Sequence, residues 1–117
     1  MANSAKYVLM IPQVAHAPDL AHQAHQALVN GSQPLHHAYL DPGKWAHWPG
    51  EDPQLHDLVV AYADDTPEMD SHVKQLAKSV GARGNLKAIF ALKEGNGRVT
   101  PWTVHNHDHP ASSSQAK

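Results

Sequence analysis

The fold is decided by residues 57–81, which read DLVVAYADDTPEMDSHVKQLAKSVG. The segment opens with a continuous apolar run, LVVAYA, which is typical of a strand that is buried on both faces. Residues 65–68 then have the sequence of a helix start, because a side chain that can cap the helix is followed by an early proline and by acids in the first turn. Apolar residues at helical spacing predict the buried side of this helix: Met69, Val73, Leu76, Ala77 and Val80.

A second strand and helix precede this segment. KYVLMIPQVA at residues 6–15 is an apolar run whose length favours a buried strand. In the APDLAHQAHQALVNG that follows, Pro18 and Asp19 suit the first turn of a helix and Gly31 suits its end. The predicted buried side of this helix comprises Ala17, Leu20, Ala21, Ala24 and Leu28.

The stretch between these two strand–helix pairs is irregular in composition. LHHAYL at residues 35–40 favours a short strand, and DPGK at 41–44 favours a turn. The remaining residues predict a long loop with a helical turn near Pro53 to Asp57. Loops of this length inside small domains are often functional.

A hairpin is predicted at the end of the chain. LKAIFALKEG at residues 86–95 predicts a strand, and Gly95-Asn96-Gly97 predicts a tight turn into the returning strand RVTPWTV. Pro101 has no amide hydrogen to donate, so it places this last strand at an edge of the sheet.

These elements predict an α/β fold. Strand–helix–strand units in one sheet cross over with one handedness, which favours a small, mainly parallel sheet of four to five strands with two main helices and a C-terminal antiparallel edge hairpin. We expect one domain over residues 1–109 and a polar flexible tail over 110–117. Two helices cover such a sheet incompletely, so we expect either the tryptophan-containing loop or a second subunit of a homodimer to cover the rest.

Composition limits the classes of partner and compartment. The net charge is −2 and the nine Lys and Arg residues form no run, so we expect neither nucleic-acid nor membrane-surface binding. The chain has no cysteine, which removes disulfides and thiolate chemistry and is compatible with the predicted cytoplasmic location. The apolar start is interrupted by Pro12 and Gln13, which favours a first strand over a secretion signal.

Ligands of open parallel sheets bind at the edge where the strands end. In the predicted topology, His16 and Asp64 lie at that edge, and both are predicted to contribute to ligand binding. The neighbouring residues there are Asp41, Asp65, Lys93 and Glu94. Asp64 and Asp65 could hold a divalent metal or act as a general base. The alternative is that Asp65 caps the following helix and Asp64 is solvated.

The irregular loop holds a second candidate surface. Tyr39, Trp45, His47 and Trp48 lie close together in sequence, and large aromatic side chains mark binding surfaces. The alternative is that the tryptophans cover the exposed face of the sheet. The two interpretations are compatible with each other.

Alternating histidines form the third candidate. On an extended final strand, His105 and His107 share one face and could bind one divalent metal, with a third ligand from His16, His36 or His37. The alternative is that they are the polar end of a strand.

The sequence contains no glycine-rich phosphate loop after a strand and no nucleophile elbow. We therefore predict a non-enzymatic binding or regulatory protein without catalytic residues or a resident cofactor, acting on a protein partner or a small-molecule ligand. A metal-dependent hydrolase that uses the His-x-His pair is the alternative. A third hypothesis is a pH sensor, because the chain has eleven histidines and His36-His37 adjoin the loop.

Overall fold

A computed structural model describes residues 3–47 and 50–106. Within these residues the chain forms five strands and two helices. In chain order they are β1 (Ser4–Pro12), α1 (Leu20–Val29), β2 (His37–Ala46), β3 (Gln54–Asp64), α2 (Pro67–Arg83), β4 (Ala88–Gly95) and β5 (Arg98–His105). The predicted order of strands and helices is confirmed. The tail predicted at 110–117 lies outside the described residues.

The sheet is antiparallel throughout, with the strand order β2-β3-β1-β4-β5. The predicted mainly parallel α/β sheet is therefore wrong, and the fold is of the α+β class. β1 and β2 do run in the same direction, but β3 lies between them, and β1 likewise separates β3 from β4. Two strand–helix–strand units thus interleave in the ferredoxin-like arrangement, and the hairpin adds β5 at the edge.

Both helices pack on one face of the sheet and enclose the core. Side chains alternate along a strand, so the odd-numbered residues of β1 and β3 point to the helices. Tyr7, Leu9 and Ile11 are each 1% exposed. All five apolar residues predicted for α2 are buried, as are four of the five predicted for α1, while Ala17 packs against the core just before α1 begins.

Thr66 caps α2, and Asp65 does not. The Thr66 Oγ1 atom accepts a hydrogen bond from the amide of Met69 at 3.0 Å, from an extended backbone that suits an N-cap residue. The expectation that Asp65 caps the helix is therefore wrong. Its carboxylate forms an ion pair with Lys93 instead.

A long β2–β3 hairpin replaces most of the predicted loop. The turn residues Pro42 and Gly43 lie in a bulge of β2, where Gly43 has a φ of 72° and the strand pairing shifts register. β2 therefore continues to Ala46, and β3 already begins at Gln54, so the predicted helical turn near Pro53 to Asp57 is wrong. Trp45 is 73% exposed and does not cover the sheet.

The β4–β5 hairpin confirms its prediction. Asn96 and Gly97 have φ values of 54° and 73°, as a tight two-residue turn of this type requires. β5 pairs with β4 alone, so Pro101 lies in an edge strand as expected. Neither helix of the described ranges has the length and apolar character that crossing a membrane would need.

Candidate functional site

A cleft of about 640 Å³ opens on the sheet face opposite the helices, at the end where β1 finishes and β4 begins. The β2–β3 turn forms one side of this cleft, and the segment between α2 and β4 forms another. The end of β5 completes the lining. Because all these segments adjoin the ends of strands, the sheet register fixes which side chains meet there.

The floor of the cleft is one row of side chains across four strands. His56 pairs with Pro12 across β3 and β1, and Ala88 pairs with His105 across β4 and β5. Extending the β1–β4 register by two residues brings Pro12 opposite Ala88. Two small, nonionisable residues therefore lie between two imidazoles, whose backbones are three strand spacings apart, or about 14 Å.

A second row supplies an aromatic side chain. Phe90 lies between Met10 on β1 and Thr103 on β5, one step further along the sheet than the floor row. Both Phe90 and Thr103 line the cleft. The cleft thus has a small apolar floor with an aromatic ring beside it, which is the surface that a planar heterocycle prefers.

His56 is 5% exposed, although it lines the cleft. Its Nδ1 atom is 2.9 Å from the carbonyl oxygen of Gln54. A carbonyl can only accept, so Nδ1 donates, and this bond fixes the tautomer. The Nε2 atom of the neutral ring then carries a lone pair and is a hydrogen-bond acceptor.

Charged side chains lie at the mouth of the cleft. Glu51 and Asp52 are exposed on the β2–β3 turn, and Lys87 is exposed just before β4. The mouth therefore offers carboxylates to a cationic ligand group and an ammonium to an anionic one.

Asn106 ends the described chain on the wall of the cleft and is 3% exposed. Its backbone amide donates to the carbonyl of Lys87 at 2.8 Å, and its side-chain amide donates to that of Lys78 at 3.3 Å. Within the described part of the chain its Oδ1 atom is buried with no hydrogen-bond partner. These bonds attach the end of β5 to α2 and hold that wall in place.

A separate network of charges lies at the opposite end of the sheet, where α2 begins. The Tyr7 hydroxyl donates to Asp70 Oδ1 at 2.7 Å, and Lys93 Nζ donates to Asp70 Oδ2 at 3.1 Å. Lys93 also forms an ion pair with Asp65. The network links β1, α2 and β4 under partial burial.

The network shifts two pKa values. Burial raises the pKa of the Tyr7 hydroxyl, and its hydrogen bond to the Asp70 carboxylate raises it further. Burial lowers the pKa of Lys93, but hydrogen bonds to Asp65 and Asp70 and the charges of those carboxylates outweigh it, so the net shift is upward. Tyr7 is therefore held as a neutral donor and Lys93 as a cation, which indicates a structural role.

His16 and Asp64 do not meet, because the sheet is antiparallel. β1 pairs Ser4 with Asp64, so the end of β3 lies beside the start of β1 and far from His16. His16 Nε2 is 2.7 Å from the carbonyl oxygen of Gly84, and Asp64 is 2.8 Å from His36 Nε2. The prediction that His16 and Asp64 lie together at one edge of the sheet is therefore wrong, because the antiparallel strands end at opposite edges.

The aromatic loop residues are also dispersed. Tyr39 lies on β2 with its ring centroid 5.5 Å from that of His37, and Trp45 projects from the same edge strand. His47 lines the cleft, whereas Trp48 lies outside the described residues. The predicted binding roles of these residues stay predictions.

His105 lines the cleft, but the predicted metal pair cannot be assembled from the structure because His107 lies outside the described residues. Across residues 3–47 and 50–106, no three His, Asp or Glu side chains gather as a metal-binding group. A divalent metal at this histidine pair stays a prediction.

Sequence reasoning missed His56, Phe90 and the Pro12–Ala88 floor. The cause was the helical turn assigned near Pro53, which removed His56 from the strand. Once β3 begins at Gln54, the alternation of side chains along a strand places His56 on the same face as Leu58 and Val60.

No family model matches the chain, and no curated protein matches it. The structure is similar to that of a phage SAM lyase in complex with S-methyl-5'-thioadenosine, with a TM-score of 0.56 and 12% identity over 91% of this chain and 92% of that chain. It is also similar to a phage SAM lyase in the apo state, with a TM-score of 0.54 and 12% identity over 89% of each chain. At such identity the likeness shows the fold alone.

These comparisons contradict the prediction of a non-enzymatic binding or regulatory protein, since the similar structures are those of an enzyme. The alternative of a metal-dependent hydrolase depends on the His105–His107 pair, and His107 lies outside the described residues.

Proposed function

We propose that this protein is a lyase that acts on S-adenosylmethionine and releases S-methyl-5'-thioadenosine from the cleft at the end of β1. The observation that carries the proposal is the lining of that cleft, which combines an apolar floor, an aromatic side chain and a charged mouth. The fold likeness supports it, since it extends over nine-tenths of both chains.

The cleft suits this substrate in size and in polarity. Small-molecule sites measure roughly 300–1,000 Å³ and combine apolar walls with a few polar groups. The floor and Phe90 provide a surface for the purine, while Glu51 and Asp52 can attract the sulfonium and the α-ammonium group. Lys87 can pair with the substrate carboxylate.

The reaction breaks the bond between the sulfonium sulfur and Cγ of the amino-acid chain. Both bonding electrons stay on sulfur, which becomes the neutral thioether of S-methyl-5'-thioadenosine. Without water, the four-carbon fragment must either close on its own carboxylate as a lactone or lose a β-proton to form an alkene. The first route needs only a folded substrate held in place. The second needs a general base within reach of that proton.

The test is incubation of the purified protein with S-adenosylmethionine, followed by chromatography and mass spectrometry of both products. We expect S-methyl-5'-thioadenosine together with a lactone or an unsaturated amino acid. Homoserine in place of these products would indicate hydrolysis and would overturn the lyase assignment, as would the absence of any thioether product.

A matched pair of variants locates the activity. Ala88→Phe fills the floor and should lower the rate at least roughly tenfold, a loss equivalent to about 1.4 kcal/mol of binding free energy. Thr100→Phe places the same side chain on exposed β5, away from the cleft, and should leave the rate unchanged. Equal rates for the two variants would exclude this cleft as the site.

A further inference from the structure

We propose that His56 is the residue that recognises the purine, by accepting a hydrogen bond from its exocyclic amine while the ring lies over Pro12 and Ala88. The inference deepens the proposed function and rests on it for the identity of the ligand. It places the purine of the substrate at the His56 end of the cleft and makes His56 the residue that selects adenine.

The first support is the fixed tautomer of His56. Its Nδ1 atom donates to the Gln54 carbonyl of the same strand, so Nε2 lies at the far side of the ring from the backbone. Because Nδ1 is the donor, Nε2 is the ring atom of His56 that can accept a hydrogen bond, and we infer that a ligand in the cleft supplies the donor.

The second support is the shape of the floor beside that acceptor. Pro12 lies directly across from His56, and Ala88 follows on the next strand. Neither residue has a long or charged side chain, so a planar ring can lie flat on them with its edge toward His56. Phe90 borders the same area and limits how far the ring can move along the strands.

The chemistry of an acceptor decides which purine fits. Adenine carries an amine at C6, which donates a hydrogen bond, whereas hypoxanthine carries an oxo group, which only accepts. An oxo group would set its lone pairs against the lone pair of Nε2, which disfavours binding. Leaving a buried acceptor unsatisfied lowers affinity by roughly tenfold to a hundredfold.

The test compares two ligands by calorimetric titration: S-methyl-5'-thioadenosine and S-methyl-5'-thioinosine. We expect the unaltered protein to bind the adenine compound roughly tenfold to a hundredfold more tightly. His56→Leu should remove that preference by weakening the adenine compound alone. His56→Gln restores a side-chain carbonyl that can accept and should recover part of the preference. His22→Leu, on the exposed side of α1, is the matched control and should change nothing.

His56→Leu and His56→Gln both lose the bond to Gln54, so a merely structural role would affect them alike and would affect both ligands alike. Should the variants fail to fold, nitrogen NMR of the unaltered protein replaces them. The His56 Nε2 resonance should then shift on addition of the adenine compound and stay in place on addition of the inosine compound.

The outcomes separate this inference from the lyase assignment. Cleavage of S-adenosylmethionine without a purine preference that depends on His56 keeps the enzyme and overturns the purine site. A preference that depends on His56, without cleavage, keeps the purine site and overturns the enzyme. Absence of both overturns both.

Discussion

Replacing Asp70 by alanine should destabilise the fold strongly, although its side chain is 29% exposed. The Asp70 carboxylate accepts the Tyr7 hydroxyl at 2.7 Å and the Lys93 ammonium at 3.1 Å. Tyr7 is 1% exposed, so its hydroxyl would lose its acceptor in a buried position. Lys93 keeps its ion pair with Asp65.

The magnitude follows from these two contacts. A hydrogen bond from a buried donor to a charged acceptor contributes about 1.5–3 kcal/mol. The ion pair contributes about 0.5–1 kcal/mol, because the Asp70 side chain is 29% exposed and solvent screens its charge. We therefore expect Asp70→Ala to lower the free energy of unfolding by about 3 kcal/mol, which corresponds to a fall in melting temperature on the order of 10 °C.

Two milder substitutions divide this loss. Asp70→Asn keeps an oxygen that can accept from Tyr7 but removes the charge, so it should cost about half as much. Tyr7→Phe removes only the donor and should cost about 1 kcal/mol. In a double-mutant cycle, Tyr7→Phe and Asp70→Ala together should cost about 1 kcal/mol less than the sum of the single losses.

The assay is urea denaturation followed by far-ultraviolet circular dichroism at pH 7 and 25 °C. A loss below about 0.5 kcal/mol for Asp70→Ala is typical of an isolated surface substitution. Such a value would show that the contacts of Asp70 with Tyr7 and Lys93 do not stabilise the fold, and strict additivity in the cycle would show that Tyr7 and Asp70 are not coupled.

Three other perturbations are predicted from the structure. Burial and the Asp70 carboxylate raise the pKa of Tyr7, so the unfolded chain loses the hydroxyl proton near pH 10 while the folded chain retains it. The free energy of unfolding should therefore fall by about 1.4 kcal/mol per pH unit above pH 10. In urea titrations at pH 9, 10 and 11, Tyr7→Phe should remove this pH dependence, and an unchanged slope in the variant would contradict the prediction. Gly81→Ala should lower the melting temperature despite the higher helix propensity of alanine, because the added Cβ would overlap the side-chain amide of Asn106. A rise in the melting temperature would show that this contact is absent. We expect two copies of the chain to pair through the edge strand β5, where Val99 points to the sheet face opposite the helices and is 61% exposed. Val99→Glu should then shift light scattering toward the monomer, whereas Val29→Glu on the helix side should not. A wild-type monomer at high concentration would exclude pairing.

The sequence predicted the helices well because their information is local. In α2, Thr66 and Pro67 start the helix and the apolar residues repeat at helical spacing, so start and buried side are read within one segment. The Gly95–Gly97 turn is equally local, because a two-residue hairpin leaves only one register for the strands on either side.

Strand neighbours were not predictable in the same way. A helix that links two strands brings the second strand back in the same direction as the first. The sequence of the helix does not indicate whether the two strands pair directly or whether a third strand lies between them. The continuous apolar run of β3 favoured a strand buried on both faces, and the strand–helix–strand order favoured a parallel sheet. Here β1 is instead the central strand of an antiparallel sheet with helices on one face.

The error in topology explains the error in the site. A parallel sheet brings His16 and Asp64 to one edge, whereas an antiparallel sheet sends them to opposite ends and leaves a face uncovered by helices. The cleft lies on that face, so its residues come from strand positions that point away from the core, as His56 and Phe90 do. The even-numbered apolar residues of β1 and β3 point to the same face, but Val8, Met10 and Val60 are only 7%, 6% and 3% exposed. The open part of this face is therefore the cleft at the strand ends together with the edge strand around Val99, which is 61% exposed.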